Sequence, residues 1–254
     1  MSLFNLKGKV ALVTGASSGL GVQFAKALAR QGADLAIIAR RQEKLDEVKE
    51  TIEETGVRCL ALKCDVLKND EIKAVVAKVK EQYGRIDILV NNAGTARSNP
   101  AESQSDDDWN AVINTNLNSV YFTAREVGKV MIEQKYGKII NIGSIHSNVA
   151  MAPSTLNAYC ASKGGVLMLT KALAVEWAKY NITVNAIGPA YFPSEMTSAA
   201  LSNPDFAAVV KAYCPMGRTG KDGELDGALI YFASDASSYT TGQLLAIDGG
   251  WTAI

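Results

Sequence analysis

The chain has 254 residues, with 26 Lys+Arg balanced by 26 Asp+Glu, 48% hydrophobic residues and 20% charged ones. That apolar share excludes a disordered chain and supplies a large core, while a net charge of zero excludes nucleic-acid binding through a bulk positive field. Four cysteines with no Cys-x-x-Cys pair, and a single histidine, exclude a disulfide framework and a His-based metal cluster, so no metal is expected.

The opening Met1–Lys9 has no apolar h-region and no cleavage pattern. No uninterrupted apolar run approaches the ~20 residues that span a bilayer. The expectation is a reduced, cytoplasmic protein with neither a membrane nor a nucleic acid as partner.

The first predicted strand is Lys9–Thr14 (KVALVT), followed by Thr14-Gly15-Ala16-Ser17-Ser18-Gly19-Leu20-Gly21 and a helix over Gly19–Gln31. A glycine-rich turn between the first strand and the first helix lets the backbone approach a pyrophosphate, and the helix N-terminus supplies amide donors. The spacing is Gly-x-x-x-Gly-x-Gly, and a purely structural turn is the alternative reading. The second strand, Asp34–Ala39, ends in Arg40-Arg41, where sites that prefer NAD carry an acid for the ribose 2′-hydroxyl. An arginine there pairs with a 2′-phosphate instead, which predicts a preference for NADP(H), with NAD(H) still possible. The alternative is a pair of solvated helix-start arginines.

A charged helix follows over Gln42–Thr55, then the strand Val57–Cys64, the helix Asn69–Tyr83 and the strand Asp87–Val90. Ser105 before Asp106-Asp107-Asp108 reads as an N-cap with acids in the first helical turn, in preference to a Ca²⁺ site. The strand Lys138–Ile142 leads to a long helix over Asn157–Lys179, in which Tyr159 and Lys163 share a face at i and i+4. A phenol titrates near pH ~10, and a neighbouring ammonium lowers that value towards a usable acid/base range. Strands over Ile182–Ile187 and Gln243–Ile247 complete the set. Short apolar strands alternating with helices predict an α/β fold, a single Rossmann-like domain with a doubly wound parallel sheet of about seven strands. The irregular stretch 189–220 carries four prolines among aromatic and Met side chains and reads as a substrate lid.

Gly164–Trp177 is apolar nearly all round, with only Lys171 and Glu176 charged. A helix of that kind is covered on both sides, so a second protomer is expected there, with Asp106–Gln134 as the partner helix.

Thr14–Gly21, Asn91-Asn92-Ala93-Gly94, Asn116, Ser144, Tyr159/Lys163 and Asp248-Gly249-Gly250 occur in one order across the chain. This joint pattern resembles the short-chain dehydrogenase/reductase family, in its compact, single-domain, homotetrameric branch. The resemblance implies that Tyr159 exchanges a proton with the substrate oxygen, Ser144 orients that oxygen, Lys163 lowers the tyrosine pKa and holds the nicotinamide ribose, and Asn116 anchors a relay water. It further implies a cofactor site made of Gly15, Ser17, Ser18, Gly19, Leu20, Gly21, Arg40, Arg41, Asp65, Val66, Asn92, Ala93, Gly94, Tyr159, Lys163, Pro189, Phe192 and Ser194.

The chain departs from the family where Pro189-Ala190 replaces Pro-Gly and Ser194 replaces a threonine. The segment between Ser144 and Tyr159 is also slightly longer than in many relatives. His146, Arg97 and Tyr191 are candidate substrate contacts, with a structural donor, a solvated loop arginine and plain packing as the respective alternatives. The overall look is closest to gluconate/sorbose-type sugar reductases, which implies a small polyol or sugar-derived ketone. 3-Oxoacyl-carrier-protein reductases and hydroxysteroid dehydrogenases share the pattern, and a catalytically inactive dinucleotide-binding sensor would need the glycine turn without the tetrad.

Overall fold

The computed structural model describes residues 3–151 and 155–253. Met1, Ser2 and residue 254, the ends of the expected 1–254 domain, lie outside the described residues, as do 152–154 of the segment between Ser144 and Tyr159. Seven strands form one parallel sheet: β1 (Val10–Thr14), β2 (Asp34–Ala39), β3 (Cys59–Lys63), β4 (Ile88–Asn91), β5 (Gly137–Ile142), β6 (Ile182–Pro189) and β7 (Leu244–Ile247), in the order β3-β2-β1-β4-β5-β6-β7.

Alternation along the strands divides the core into two layers. Ala11, Val13, Leu35 and Ile37 pack with Phe24, Leu28, Leu45, Ile52, Leu229 and Phe232, on one face. These helical residues belong to α1 (Gly19–Arg30), α2 (Gln42–Glu53) and a later helix over Asp226–Ala233. Val10, Leu12, Ala36 and Ile38 pack on the other face with Ile72, Val76, Val127, Met131, Leu173 and Trp177. There the cover is α3 (Asn69–Tyr83), the helix Ser119–Gln134 and the long helix Asn157–Trp177. Both faces are covered, which is why the strands read as continuous apolar runs.

The partner helix expected over Asp106–Gln134 is one unbroken helical run but not α-helical throughout. It consists of α4 (Asp106–Ile113), a π-helical turn over Asn114–Asn118 and α5 (Ser119–Gln134). The extra residue of the π turn re-aims one side chain, and the buried Asn116 uses it to reach back to Thr95. Ser105 caps α4 as expected, accepting from the Asp108 amide at 3.1 Å. The stretch 189–220 is also more regular than its prolines imply. After α6 (Asn157–Trp177) and β6 it holds α7 (Ser198–Leu201) and α8 (Pro204–Tyr213), and α9 (Asp226–Ala233) follows it.

The strand order reverses between β1 and its neighbours β2 and β4. In an open parallel sheet the crevice beyond the carboxyl ends at such a point is where a ligand binds.

Candidate active site

At the end of β1 the chain enters its glycine turn with Gly15 at φ +66° and Gly19 at φ +55°. A Cβ on Gly15 would lie 2.8 Å from Ala93 Cα, and one on Gly21 would run into the Gly15 carbonyl and 2.7 Å from Asn92 Nδ2. Gly21 therefore packs the turn against its neighbours, behind the residues that line the cavity. Asn92 Nδ2 donates to the Thr14 and Gly15 carbonyl oxygens at 3.0 and 3.2 Å. Thr14 Oγ1 in turn accepts from the amides of Asn92 and Ala93, both at 3.0 Å. The end of β4 thus staples the turn. Ser18, which precedes α1, makes no side-chain cap bond, so the first-turn amides face the crevice unshared with its hydroxyl.

The crevice is a cavity of about 580 Å³. Its walls bring together Gly15, Ser17, Ser18, Gly19 and Leu20 of the turn with Arg40, Arg41, Asp65 and Val66 beyond β2 and β3. Asn92, Ala93 and Gly94, then Ser144, Tyr159 and Lys163, then Pro189, Phe192 and Ser194 complete it. A dinucleotide fits these residues: the turn leaves no room for a side chain on Gly15 or Gly21, and two arginines stand at one end. Ala190 is not among the residues with positive φ, so the alanine in the place of the family's glycine costs no backbone strain.

Ser144 caps a 3₁₀ turn over Ile145–Ser147, where its Oγ accepts from the His146 amide at 3.2 Å. Tyr159 and Lys163 come from the first turns of α6. Burial pushes the Tyr159 phenol up to about 12, and its hydrogen bond with Ser144 opposes that shift. Lys163 is only 5% exposed, and burial alone lowers it to about 8. Its Nζ donates to the Ile142 carbonyl at 2.6 Å and stands 5.6 Å from the centre of the Tyr159 ring. The expected lowering of the phenol by Lys163 is therefore not what this geometry gives. Burial dominates both groups, and one of the three ammonium N–H groups goes to a backbone oxygen.

Asn116 sits behind the cavity wall. Its Oδ1 accepts from the Thr95 amide at 2.8 Å, while Nδ2 donates to the Thr95 carbonyl at 2.9 Å and to Ser162 Oγ at 3.1 Å. The side chain is a clamp between the end of the β4 segment and α6.

The three candidate substrate contacts separate. Arg97 lines the cavity, held by Thr95 Oγ1, the Ala96 carbonyl and Asp108 at 3.4 Å. His146 is buried with its ring edge-on to Tyr159, the centroids 6.0 Å apart. Its Nδ1 lies 3.1 Å from the Val149 carbonyl, which can only accept, so Nδ1 carries the proton and Nε2 is an acceptor with no partner among the described residues. Tyr191 does not line this cavity. It faces an adjoining one of about 290 Å³ and packs against Phe206 and Trp251. The sequence reading missed Glu195, which lies on the cavity wall beside Arg41. No local motif marks it, because the contact spans 154 positions. Among the described residues no group of three or more His, Cys, Asp and Glu is placed to hold a metal, and no helix is long and apolar enough to cross a membrane.

A family model described as enoyl-(acyl carrier protein) reductase matches residues 15–252. The chain is 40% identical over 253 residues to a gluconate 5-dehydrogenase from Gluconobacter oxydans (strain 621H), with 98% of this chain and 97% of that protein covered. It is 41% identical over 257 residues to a 2-dehydro-3-deoxy-D-gluconate 5-dehydrogenase from Escherichia coli (strain K12), covering 100% and 99%. The crystal structure of a gluconate 5-dehydrogenase from Burkholderia cenocepacia J2315 in complex with NADP and tartrate is similar at a TM-score of 0.95 and 38% identity, covering 99% of this chain and 98% of that one.

Proposed function

The chain belongs to the short-chain dehydrogenase/reductase family, and from that premise we propose that it transfers hydride between NADP(H) and a ketone or secondary alcohol of a small sugar-derived acid. It is an oxidoreductase of CH–OH and C=O groups. The observation that carries the reading is one continuous cavity with Tyr159, Ser144 and Lys163 at one end and Arg40 and Arg41 at the other. NADP(H), when bound, supplies or accepts the hydride.

The chain's own residues do the rest. In reduction the Tyr159 phenol gives its proton to the substrate oxygen as the hydride reaches the carbon. In oxidation the phenolate takes that proton back. Ser144 holds the same oxygen, and its hydrogen bond to Tyr159 sets the two hydroxyls side by side. Lys163 holds the cofactor's ribose beside the phenol, and Asn116 positions the Thr95 segment and α6. Arg97 offers a cation to a substrate carboxylate on the same wall. The segment 189–220 closes over the substrate as a lid.

The named activities of the relatives favour a sugar-acid ketone over an acyl or steroid ketone. In an NADPH-oxidation assay a keto-gluconate is expected to exceed a 3-oxoacyl thioester and a steroid ketone by about tenfold or more in kcat/KM. The reverse order would overturn the substrate assignment.

Arg40 carries the cofactor preference with Arg41. In Arg40→Asp the ratio of kcat/KM for NADPH over NADH is expected to fall by about 10–100-fold, since a phosphate contact becomes a repulsion. An unchanged ratio would refute the assignment.

The outer face of α6 leaves Met168 61% and Val175 82% exposed, with Tyr121 of α5 and Trp109 of α4 each 41% exposed. Such faces support assembly with further copies of the chain as a homotetramer. Its four cysteines are free thiols, which fits the reducing cytoplasm.

A further inference from the structure

We propose that Glu195 sets the cofactor preference from the other side: it is an internal anion seated on the arginine that receives the 2′-phosphate, and the phosphate must displace it. The proposal rests on the reading above that the phosphate of NADP(H) lies at Arg40 and Arg41.

The geometry is that of a phosphate site already satisfied. Glu195 Oε2 lies 3.0 Å from Arg41 Nη2, and Oε1 lies 3.3 Å from Nη1, a two-pronged pairing. Lys44 Nζ donates to Oε1 at 3.1 Å. The same guanidinium donates from Nη2 to Ser18 Oγ at 2.8 Å and from Nε to Ser17 Oγ at 3.3 Å. Ser18 also hydrogen-bonds the carboxylate, and these donors hold Glu195 at about 2, so it is ionised at any working pH. Two cations and a serine hydroxyl converging on one small anion is the donor set that holds a phosphate monoester.

Glu195 also comes from the right direction. It opens the segment that crosses the glycine turn: a Cβ on Gly19 would lie 3.1 Å from the Cβ of its neighbour Ser194. The two arginines are therefore unlike. Arg40 forms no hydrogen bond or ion pair to any described residue, whereas Arg41 is already engaged.

A ligand with a 2′-phosphate must break the Glu195 pair or share Arg41 with it. A ligand without one leaves the pair intact. Glu195 thus lowers affinity for NADP(H) selectively, and it ties release of the 194–197 strap to the arrival of the phosphate. The pair is solvent-exposed, so each contact is weak, and two cations on one carboxylate together yield about a three- to tenfold effect.

The test uses the full chain and two fragments without nicotinamide, 2′,5′-ADP and 5′-AMP, titrated calorimetrically. Glu195→Gln is expected to tighten 2′,5′-ADP about three- to tenfold and leave 5′-AMP unchanged, with the gain shrinking at high salt. If Glu195→Gln leaves the ratio of the two dissociation constants unchanged, or weakens 2′,5′-ADP, while Arg41→Ala still lowers the preference for 2′,5′-ADP, the Glu195 proposal fails and the phosphate assignment stands. If Arg41→Ala also leaves the ratio unchanged, the phosphate does not lie at Arg41 and the Glu195 proposal falls; if Arg40→Ala leaves it unchanged as well, the phosphate assignment falls with it.

Discussion

Tyr159→Phe is expected to lower kcat by about 10²–10⁴-fold while NADPH binding stays within about twofold of the parent, because general acid catalysis supplies that much and the ring keeps its packing. The phenol is partly buried, its hydroxyl bonded with Ser144 and its ring edge-on to His146. Removing one oxygen leaves the ring contact and takes away the Ser144 bond together with the proton that the phenol would give to the substrate oxygen. The pH dependence follows from the same burial. With the phenol pushed up to about 12, it stays protonated through neutral and mildly alkaline pH, so it is a ready acid for reduction and a scarce base for oxidation. Reduction is expected to be flat across that range, and oxidation to rise with pH until bound cofactor and substrate bring the phenolate within reach. Stopped-flow turnover in both directions, with cofactor binding followed by fluorescence, checks the pair of results. Retained turnover in Tyr159→Phe would remove Tyr159 from the chemistry.

Much of this site is legible in the sequence because its parts are short and sit at element ends. The glycine turn needs its residues at Gly15, Gly19 and Gly21 for φ or for contact, and the strands announce themselves as apolar runs. What escaped has a physical cause in each case. The π turn at Asn114–Asn118 keeps a helical pattern, and what sets it apart are the bonds of Asn116 to Thr95 and Ser162, 21 and 46 positions away. The helix α8 hides among prolines, although Asn203 accepts from the Asp205 amide at 2.9 Å and Pro204 occupies the first helical position, an ordinary helix start. The helix α9 (DGALIYFA) is apolar all round, so no period marks it. The Glu195 pairing with Arg41 and the commitment of Lys163 to the Ile142 carbonyl are tertiary facts, invisible to spacing.

Lys163→Met is expected to cost about 10²–10⁴-fold in kcat/KM and, at about pH 7, to make the folded chain more stable by about 1–3 kcal/mol. The ammonium is nearly fully buried, has no carboxylate partner among the described residues, and is brought from 10.5 down to about 8 by burial. A lysine whose folded value lies below its unfolded one binds fewer protons when folded between those two values. Stability therefore rises with pH from about 8 to about 10.5, and below about 8 the whole burial cost is present. A shift of that size corresponds to about 3 kcal/mol, and the Ile142 carbonyl left without its donor takes back about 1. Other groups titrate in the same window: Cys59 and Cys64, both raised to about 12, oppose the rise, and the lowered Lys138 adds to it. The informative quantity is therefore the difference between parent and variant. Urea unfolding at about pH 7 and about pH 9.5 should show the advantage of Lys163→Met shrinking as pH rises. A variant less stable than the parent at both pH values would mean that the hydrogen bond to Ile142, and not the catalytic position, explains a buried lysine here. A more stable and inactive variant would mean that the chain carries Lys163 for chemistry at the expense of its own fold.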